Sequence, residues 1–358
     1  MESGGYSPVK RGASGLSLVV GINKPAGMSS HDVVNRCRRI FGEKRVGHTG
    51  TLDPLAKGAL LVCVGPATRL DPFFTEHDKR YRFRVSFGIG TDTDDAAGEV
   101  VKRGDAPVCV LDEEYAERFV GDLVGKHKQI PPVYSAIKVD GQRSYKAARA
   151  GKIIDLAPRD IEIYEARLES VIAEGEDGLP AWDVAVSVSK GTYIRSLARD
   201  IGNMIGCPAY VSMLERTQAG SLDLAECVTL ETLEERGIAA ALDPVRLLGF
   251  RFVFADEATA RAVSNGSPLR ASECAVSNGS PLRASECAVF ERRRATVAAE
   301  LCACTAGVRQ SDKPLMSGEG ISVIAENKLV ALYEYDETRR ALMPRCVFAL
   351  GVSRGRDS

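Results

Sequence analysis

Asp53 is the side chain best placed to do chemistry. It lies in Gly47-His48-Thr49-Gly50-Thr51-Leu52-Asp53-Pro54-Leu55-Ala56-Lys57-Gly58, which carries three glycines and no second carboxylate. Glycine lets a backbone approach a ligand closely, and the proline after Asp53 biases that residue toward an extended conformation, so the carboxylate is aimed. The plain alternative is an Asx-type turn in which the side chain bonds its own backbone. A phosphate-cradling loop is set aside, because Lys57-Gly58-Ala59 lacks the Gly-Lys-Ser/Thr order. Glycoside or nucleoside hydrolysis by paired carboxylates needs a second acid beside Asp53, and the sequence nominates none.

Metal chemistry has little to build on. The ten cysteines are scattered without a Cys-x-x-Cys pair, and His31, His48, His77 and His127 lie far from the close pair Cys302 and Cys304. Thr91-Asp92-Thr93-Asp94-Asp95 is acidic enough to suggest calcium, yet it lacks the glycine and glutamate spacing of an EF-hand, so we read an acidic loop beside the sheet. No metal and no cofactor are expected.

The elements around these residues follow from period and punctuation. Leu18 to Asn23 reads as a strand, and Ser29 and Asp32 have capping-box spacing ahead of a helix that buries Val33, Val34, Cys37, Ile40 and Phe41 and stops at Gly42. Ala59 to Gly65 reads as a buried strand. Arg80 to Val85 alternates, with Tyr81, Phe83 and Val85 opposite Arg80, Arg82 and Arg84. Leu111 to Leu123 and Gln142 to Ala150 read as helices separated by the extended Gln129-Ile130-Pro131-Pro132. Val184, Val186 and Val188 alternate up to Lys190-Gly191, and Ile194, Leu197, Ala198 and Ile201 then take helical spacing until Gly202. Arg195 therefore falls at a strand-to-helix junction.

With 358 residues the chain is long enough for two cores. The boundaries expected are a tail over 1–17, a domain over 18–250, a small, mainly β domain over 251–353 and a tail over 354–358. Strands at Ile321 to Ala325, Leu329 to Tyr335 (about a Glu326-Asn327-Lys328 turn) and Cys346 to Leu350 build the second domain. Val263 to Ala275 recurs unchanged as Val276 to Ala288. Two short Ser/Asn/Gly/Pro-rich copies do not make a solenoid, and one copy is expected to be dispensable.

No apolar run is long enough to cross a bilayer, and Met1 to Ser17 lacks the pattern of a secretory signal. With scattered thiols, that points to a cytoplasmic protein without a membrane partner. The net charge of -1 hides segregation: Lys24 to Arg82 holds eleven Lys/Arg against six Asp/Glu, and Asp92 to Arg118 holds nine Asp/Glu against three Lys/Arg. A basic, phosphate-binding face including Lys24, Arg80 and Arg82 is compatible with a near-neutral chain, as are two merely solvated faces.

The segment Gly47 to Gly58 resembles the catalytic motif of the tRNA pseudouridine-55 synthases, the TruB-type family. The likeness continues through Lys24-Pro25, Lys79-Arg80-Tyr81, Thr91 to Asp94, Gln129 to Ala136, Lys190 to Arg195 and Leu214-Glu215-Arg216-Thr217, covering roughly Leu18 to Asp243 in order. The resemblance implies that Asp53 is the catalytic aspartate, Arg195 its ion-pair partner, and Tyr81 and Tyr193 the aromatics packing around a flipped base. Lys24 and Leu214 match further pocket positions, and His48 a histidine that holds T-loop nucleotides apart; a loop histidine satisfying a carbonyl is the plain alternative. Tyr134 and Tyr145 stay outside this set, divided between core packing and RNA contact. Glu215 departs from the family, which often has a second arginine there.

The family also implies an α+β fold with a mixed, largely antiparallel central sheet and a small β-rich, PUA-like C-terminal domain. The implied reaction isomerises uridine in the T loop of tRNA, with tRNA (T loop and T arm) as partner and no obligate protein partner. It cleaves C1'–N1, rejoins the uracil through C5 and releases the C5 proton. The buried bond must be exposed by flipping the base, whose stacking is replaced by flat side chains. A silent tRNA-binding or tRNA-folding protein is the rival from another class.

Overall fold

The computed structural model describes residues 14–135, 156–270 and 314–355, together with the backbone of Lys138–Val139 and Gln142–Arg143. In chain order the strands are β1 (Leu18–Lys24), β2 (Val46–His48), β3 (Lys57–Val64), β4 (Lys79–Phe87), β5 (Ile89–Thr91), β6 (Val100–Arg103) and β7 (Gly125–Gln129). There follow β8 (Lys138–Val139), β9 (Gln142–Arg143), β10 (Arg159–Ile172), β11 (Ala181–Val188), β12 (Ala209–Ala219) and β13 (Leu222–Asp223), then β14 (Arg251–Phe254), β15 (Leu269–Arg270), β16 (Gly320–Ala325), β17 (Lys328–Asp336) and β18 (Ala341–Ser353).

The central sheet runs β1-β3-β12-β4-β11-β10-β7, with β2 alongside β3 and β13 alongside β12. Every pairing in it is antiparallel except β3 with β12, where Lys57 and Gly58 face Glu215 and Arg216. A second sheet, β14-β16-β17-β18-β15, holds the C-terminal strands. Glu326 and Asn327, both at positive φ, make the two-residue turn between β16 and β17.

One face of the central sheet buries Phe83, Val85 and Phe87 of β4 with Trp182, Val184 and Val186 of β11 beneath the Ile194–Ile205 helix. Trp182 is fully buried between Phe87 and Phe119, and its indole N–H donates to the Val110 carbonyl at 2.7 Å. A separate cluster joins Val19, Leu61 and Cys63 to Phe252, Leu332 and Phe348, so the second sheet is packed onto the first.

Several expectations change in detail. The Ser30–Phe41 helix has its capping box at Ser29 and Asp32 and ends on the left-handed Gly42. The helix expected from Leu111 begins instead at Glu113, because Asp112 caps it by accepting from the Tyr115 N–H. The helix from Ile194 passes Gly202 and ends at Gly206; Gly202 is a close-packing position, where a Cβ would stand 2.5 Å from the Cys207 carbonyl oxygen. Gln142–Arg143 pairs antiparallel with Lys138–Val139 in place of starting a helix, and the rest of that expected helix, with Tyr145, lies outside the described residues. So do the last five residues of the first copy of the duplication, Ala271 to Ala275, and all of the second.

Some residues within the expected tails make specific contacts. Ser14 donates to Glu43 through both N–H and hydroxyl, Ser17 accepts from the Ser353 N–H, and the buried Arg354 pairs with Asp243 at 2.8 Å. The arginine stripe of β4 is neutralised: Arg84 meets Asp183 at 2.7 Å, Arg82 meets Glu169 at 3.0 Å and Arg80 meets Glu165 at 3.9 Å. Strand alternation sets these arginines on the face opposite Tyr81 and Phe83.

Candidate active site

The loop between β2 and β3 is fastened from below. The Ser30 hydroxyl, at the start of its helix, donates to the Leu52 carbonyl at 2.7 Å and accepts from the Leu52 N–H at 2.8 Å, fixing the residue before Asp53. Arg216, almost fully buried, donates from Nε to the Ala59 carbonyl at 2.7 Å and from Nη2 to the Gly50 carbonyl at 3.2 Å. Of the three glycines, Gly47 has ordinary room, Gly50 takes a positive φ and Gly58 both takes a positive φ and touches the chain: a Cβ there would stand 2.3 Å from the Arg216 carbonyl oxygen. The close approach made by Gly58 is thus to β12, and it permits the parallel pairing.

Asp53 points into a cavity of about 450 Å³ lined in part by His48, Leu52, Tyr81, Tyr193, Leu214 and Arg216. Arg195, 5 % exposed, reaches it from the first turn of the Ile194–Ile205 helix, with Nε 2.8 Å from Asp53 Oδ2. The same guanidinium donates from Nη1 to the Thr93 carbonyl and from Nη2 to the Tyr134 carbonyl, each at 2.9 Å, and has Asp95 Oδ2 at 3.7 Å. A planar fork with separate partners on its three nitrogens has one orientation, and it transmits that orientation to the carboxylate.

Burial pushes the Asp53 carboxyl above its ordinary value; Arg195 pulls it back, and Asp95 adds to the rise. Lys24 lies beneath the loop and does not line the cavity: fully buried, its Nζ donates to the carbonyls of Met28 at 2.5 Å, Pro25 at 2.8 Å and Pro54 at 3.5 Å. Burial lowers its pKa to about 8, with Asp53 opposing that shift. Lys24 therefore cannot belong to the outward basic face expected from charge alone.

Tyr81 on β4 and Tyr193 at the helix N-cap line the cavity with Leu214 of β12. Tyr193 is held by Gln129, whose amide accepts from its N–H at 2.9 Å and donates to its carbonyl at 3.1 Å. The His48 ring keeps Nδ1 buried without a partner, so that atom does not satisfy a neighbouring carbonyl; burial lowers the ring's pKa and favours the neutral form. Glu215 turns to the opposite face and pairs with Lys57 at 3.4 Å.

The structure thus gathers Asp53, Arg195, Tyr81, Tyr193, His48 and Leu214 around one cavity and puts Lys24 under its floor. Gln129, Thr93, Asp95 and Arg216 complete the arrangement and were not singled out. Only Asp95 has a signal in the sequence: a buried guanidinium needs several acceptors, and the acidic Thr91 to Asp95 loop supplies carboxylates. Among the described residues no group of three or more His, Cys, Asp or Glu could hold a metal ion.

Comparisons with known proteins show the family. Residues 38–194 match the TruB family pseudouridylate synthase (N terminal domain), and residues 195–245 match the tRNA pseudouridylate synthase B C-terminal domain. The tRNA pseudouridine synthase B of Caldanaerobacter subterraneus subsp. tengcongensis is 41% identical over 255 residues, spanning 70% of this chain and 86% of that protein. That of Deinococcus radiodurans is 40% identical over 274 residues, spanning 69% of this chain and 87% of its own. Among solved structures, an H/ACA RNP bound to a substrate RNA containing 2'-deoxyuridine superposes with a TM-score of 0.61 at 20% identity, covering 93% of this chain and 85% of that one, a likeness of fold alone. A mixed, largely antiparallel sheet with a β-rich, PUA-like C-terminal sheet is the architecture of such synthases. The chain belongs to the TruB family of pseudouridine synthases and is an isomerase.

Proposed function

We propose that this enzyme converts uridine-55 in the T loop of tRNA to pseudouridine, with Asp53 as the carboxylate that acts on the sugar. The observation that carries the proposal is the Asp53 carboxylate held 2.8 Å from Arg195 Nε at a cavity wall shared with Tyr81 and Tyr193. Those two rings suit a flipped base, replacing the stacking it leaves behind. His48 and Leu214 take the remaining substrate-binding positions, and Lys24 supports the loop from below.

In this reaction the C1'–N1 bond breaks while the sugar is engaged by Asp53. The uracil then turns within the enclosed cavity and bonds to C1' through C5. Loss of the C5 proton restores the aromatic ring, with its N1 protonated, so product and substrate have the same composition. The T arm binds outside the cavity, and a cytoplasmic setting completes the proposal, since the described cysteines are unpaired thiols.

The test is pseudouridine formation in an unmodified tRNA transcript, comparing the intact chain with Asp53→Asn and recording tRNA binding for both. Conversion of the T-loop uridine only by the intact chain, with both proteins binding, supports the proposal. Binding by the intact chain without conversion leaves a silent tRNA-binding protein in its place, and conversion at another uridine overturns the position.

A further inference from the structure

The acidic turn after β5 is held to the Ile194–Ile205 helix at two levels. Arg195 and Arg199 lie four residues apart, on one helix face. Each uses one terminal nitrogen for the turn and the other for the extended segment after β7. Arg195 takes the carbonyls of Thr93 and Tyr134, both at 2.9 Å; Arg199 takes the Asp94 carboxylate and the Ile130 carbonyl, both at 2.7 Å, and also meets the neighbouring Asp200 carboxylate at 3.2 Å. The segment's two acceptors, Ile130 and Tyr134, are also four residues apart. Only the first level reaches Asp53.

We propose that Arg199, through Asp94, is a positioning residue for the Asp53 chemistry: it fixes the acidic turn and the Ile130–Tyr134 segment so that Arg195 holds the Asp53 carboxylate at one angle. The proposal rests on Asp53 as the reacting carboxylate. Two observations separate Arg199 from an ordinary surface ion pair. Asp94 takes a left-handed backbone conformation, φ 60, which side-chain-bearing residues adopt at a cost, and besides the Arg199 contact to its carboxylate its backbone is held by the Thr91 carbonyl at 3.3 Å and the Val211 N–H at 3.1 Å. The helix itself has other anchors, burying Ile194, Leu197, Ala198 and Ile201 and ending on the left-handed Gly206, so Arg199 is not needed to form it. The Arg199 side chain keeps 28 % of its surface exposed and Asp94 15 %, so the pair borders the site wall without entering the cavity.

The experiment uses the full chain and an unmodified tRNA transcript, with Arg199→Met, Arg199→Lys, Asp94→Asn and the Arg199→Met/Asp94→Asn double variant. Arg199→Met should lower kcat tenfold or more while KM and the tRNA dissociation constant stay within twofold. The acid limb of the rate should move to higher pH as Arg195 loosens its hold on Asp53. Arg199→Lys, able to keep the charge and part of the contacts, should fall in between, and the double variant should lie within twofold of Arg199→Met. A kcat within twofold of the unaltered chain overturns the proposal. So does a loss that follows only the folded fraction with the acid limb unmoved, or losses that multiply in the double variant. Asp53→Asn is run alongside: activity there overturns the Asp53 assignment itself, whereas inactivity there with undisturbed Arg199→Met kinetics overturns only the positioning role.

Discussion

Replacing Arg195 by lysine tests whether a fork is required or merely a positive charge. The guanidinium has three short contacts, to Asp53 at 2.8 Å and to the Thr93 and Tyr134 carbonyls at 2.9 Å each. A lysine has one nitrogen, and if it stays with Asp53 both carbonyls lose a charged donor. Each such bond contributes about 1.5–3 kcal/mol, so a dry site would lose roughly 3–6 kcal/mol by the same measure. Asp53 is 35 % exposed, and cavity water can re-solvate part of the loss. About 2–4 kcal/mol is therefore the expected range. If about 2.7 kcal/mol of it is felt in the transition state, the single-turnover rate falls about 100-fold. The assay is release of the C5 hydrogen from a tRNA transcript labelled at uridine C5, under single-turnover conditions, with denaturant midpoints measured in parallel. A rate within threefold of the unaltered enzyme would refute the idea that the fork geometry aims Asp53.

Other outcomes follow from particular contacts. If ionised Asp53 acts on the sugar as proposed, the rate rises with pH through a limb above the ordinary carboxylate value; Asp95→Asn removes a charge that raises this carboxyl and should move the limb to lower pH, even as the plateau rate falls, which a pH–rate profile will show. Gly58→Ala should destabilise the fold by about 2–5 kcal/mol, from left-handed strain and a clash with the Arg216 backbone, read as a lower urea midpoint; an unchanged midpoint would contradict the close approach. Affinity for tRNA should weaken with salt, but Arg82→Gln and Arg84→Gln should leave the slope unaltered, since both arginines pair with carboxylates on the face away from the cavity. A slope reduced by about one unit per substitution would put that face on RNA. Deleting Val276 to Ala288 should leave folding and activity intact, checked by urea midpoint and tRNA conversion.

Local signals were legible where the physics is local. The Ser29 and Asp32 capping box, Gly42 as a stop and the alternation of Tyr81, Phe83 and Val85 all act within a few residues, and the elements follow them. The pairing of Asp53 with Arg195 was reached through resemblance to a family, since no spacing rule links residues so far apart in sequence. The rest of the site escaped for two reasons. Arg195 bonds the backbone carbonyls of Thr93 and Tyr134, and a carbonyl carries no residue-type signature. The neutralisation of Arg82 and Arg84 depends on partners 87 and 99 residues away, visible only once β4, β10 and β11 are aligned. Lys24 misled for a related reason: a lysine beside a turn is ordinarily solvated, and only the carbonyls of Pro25, Met28 and Pro54 converging on one point allow it to be buried.

The two hydrogen bonds between the Ser30 hydroxyl and the Leu52 backbone make the Asp53 loop an extension of a helix end. A segment so anchored does not serve as a gate, because lifting it would break contacts to Ser30, Arg216 and Lys24 together. Its amides should exchange with solvent at sheet-like rates despite the irregular path of the chain. If the reaction proceeds as proposed, a catalytic floor that stays still assigns the shape change to the other party: the nucleic acid distorts to deliver its base. RNAs that unstack at low cost are then favoured before any atom of the base has been recognised.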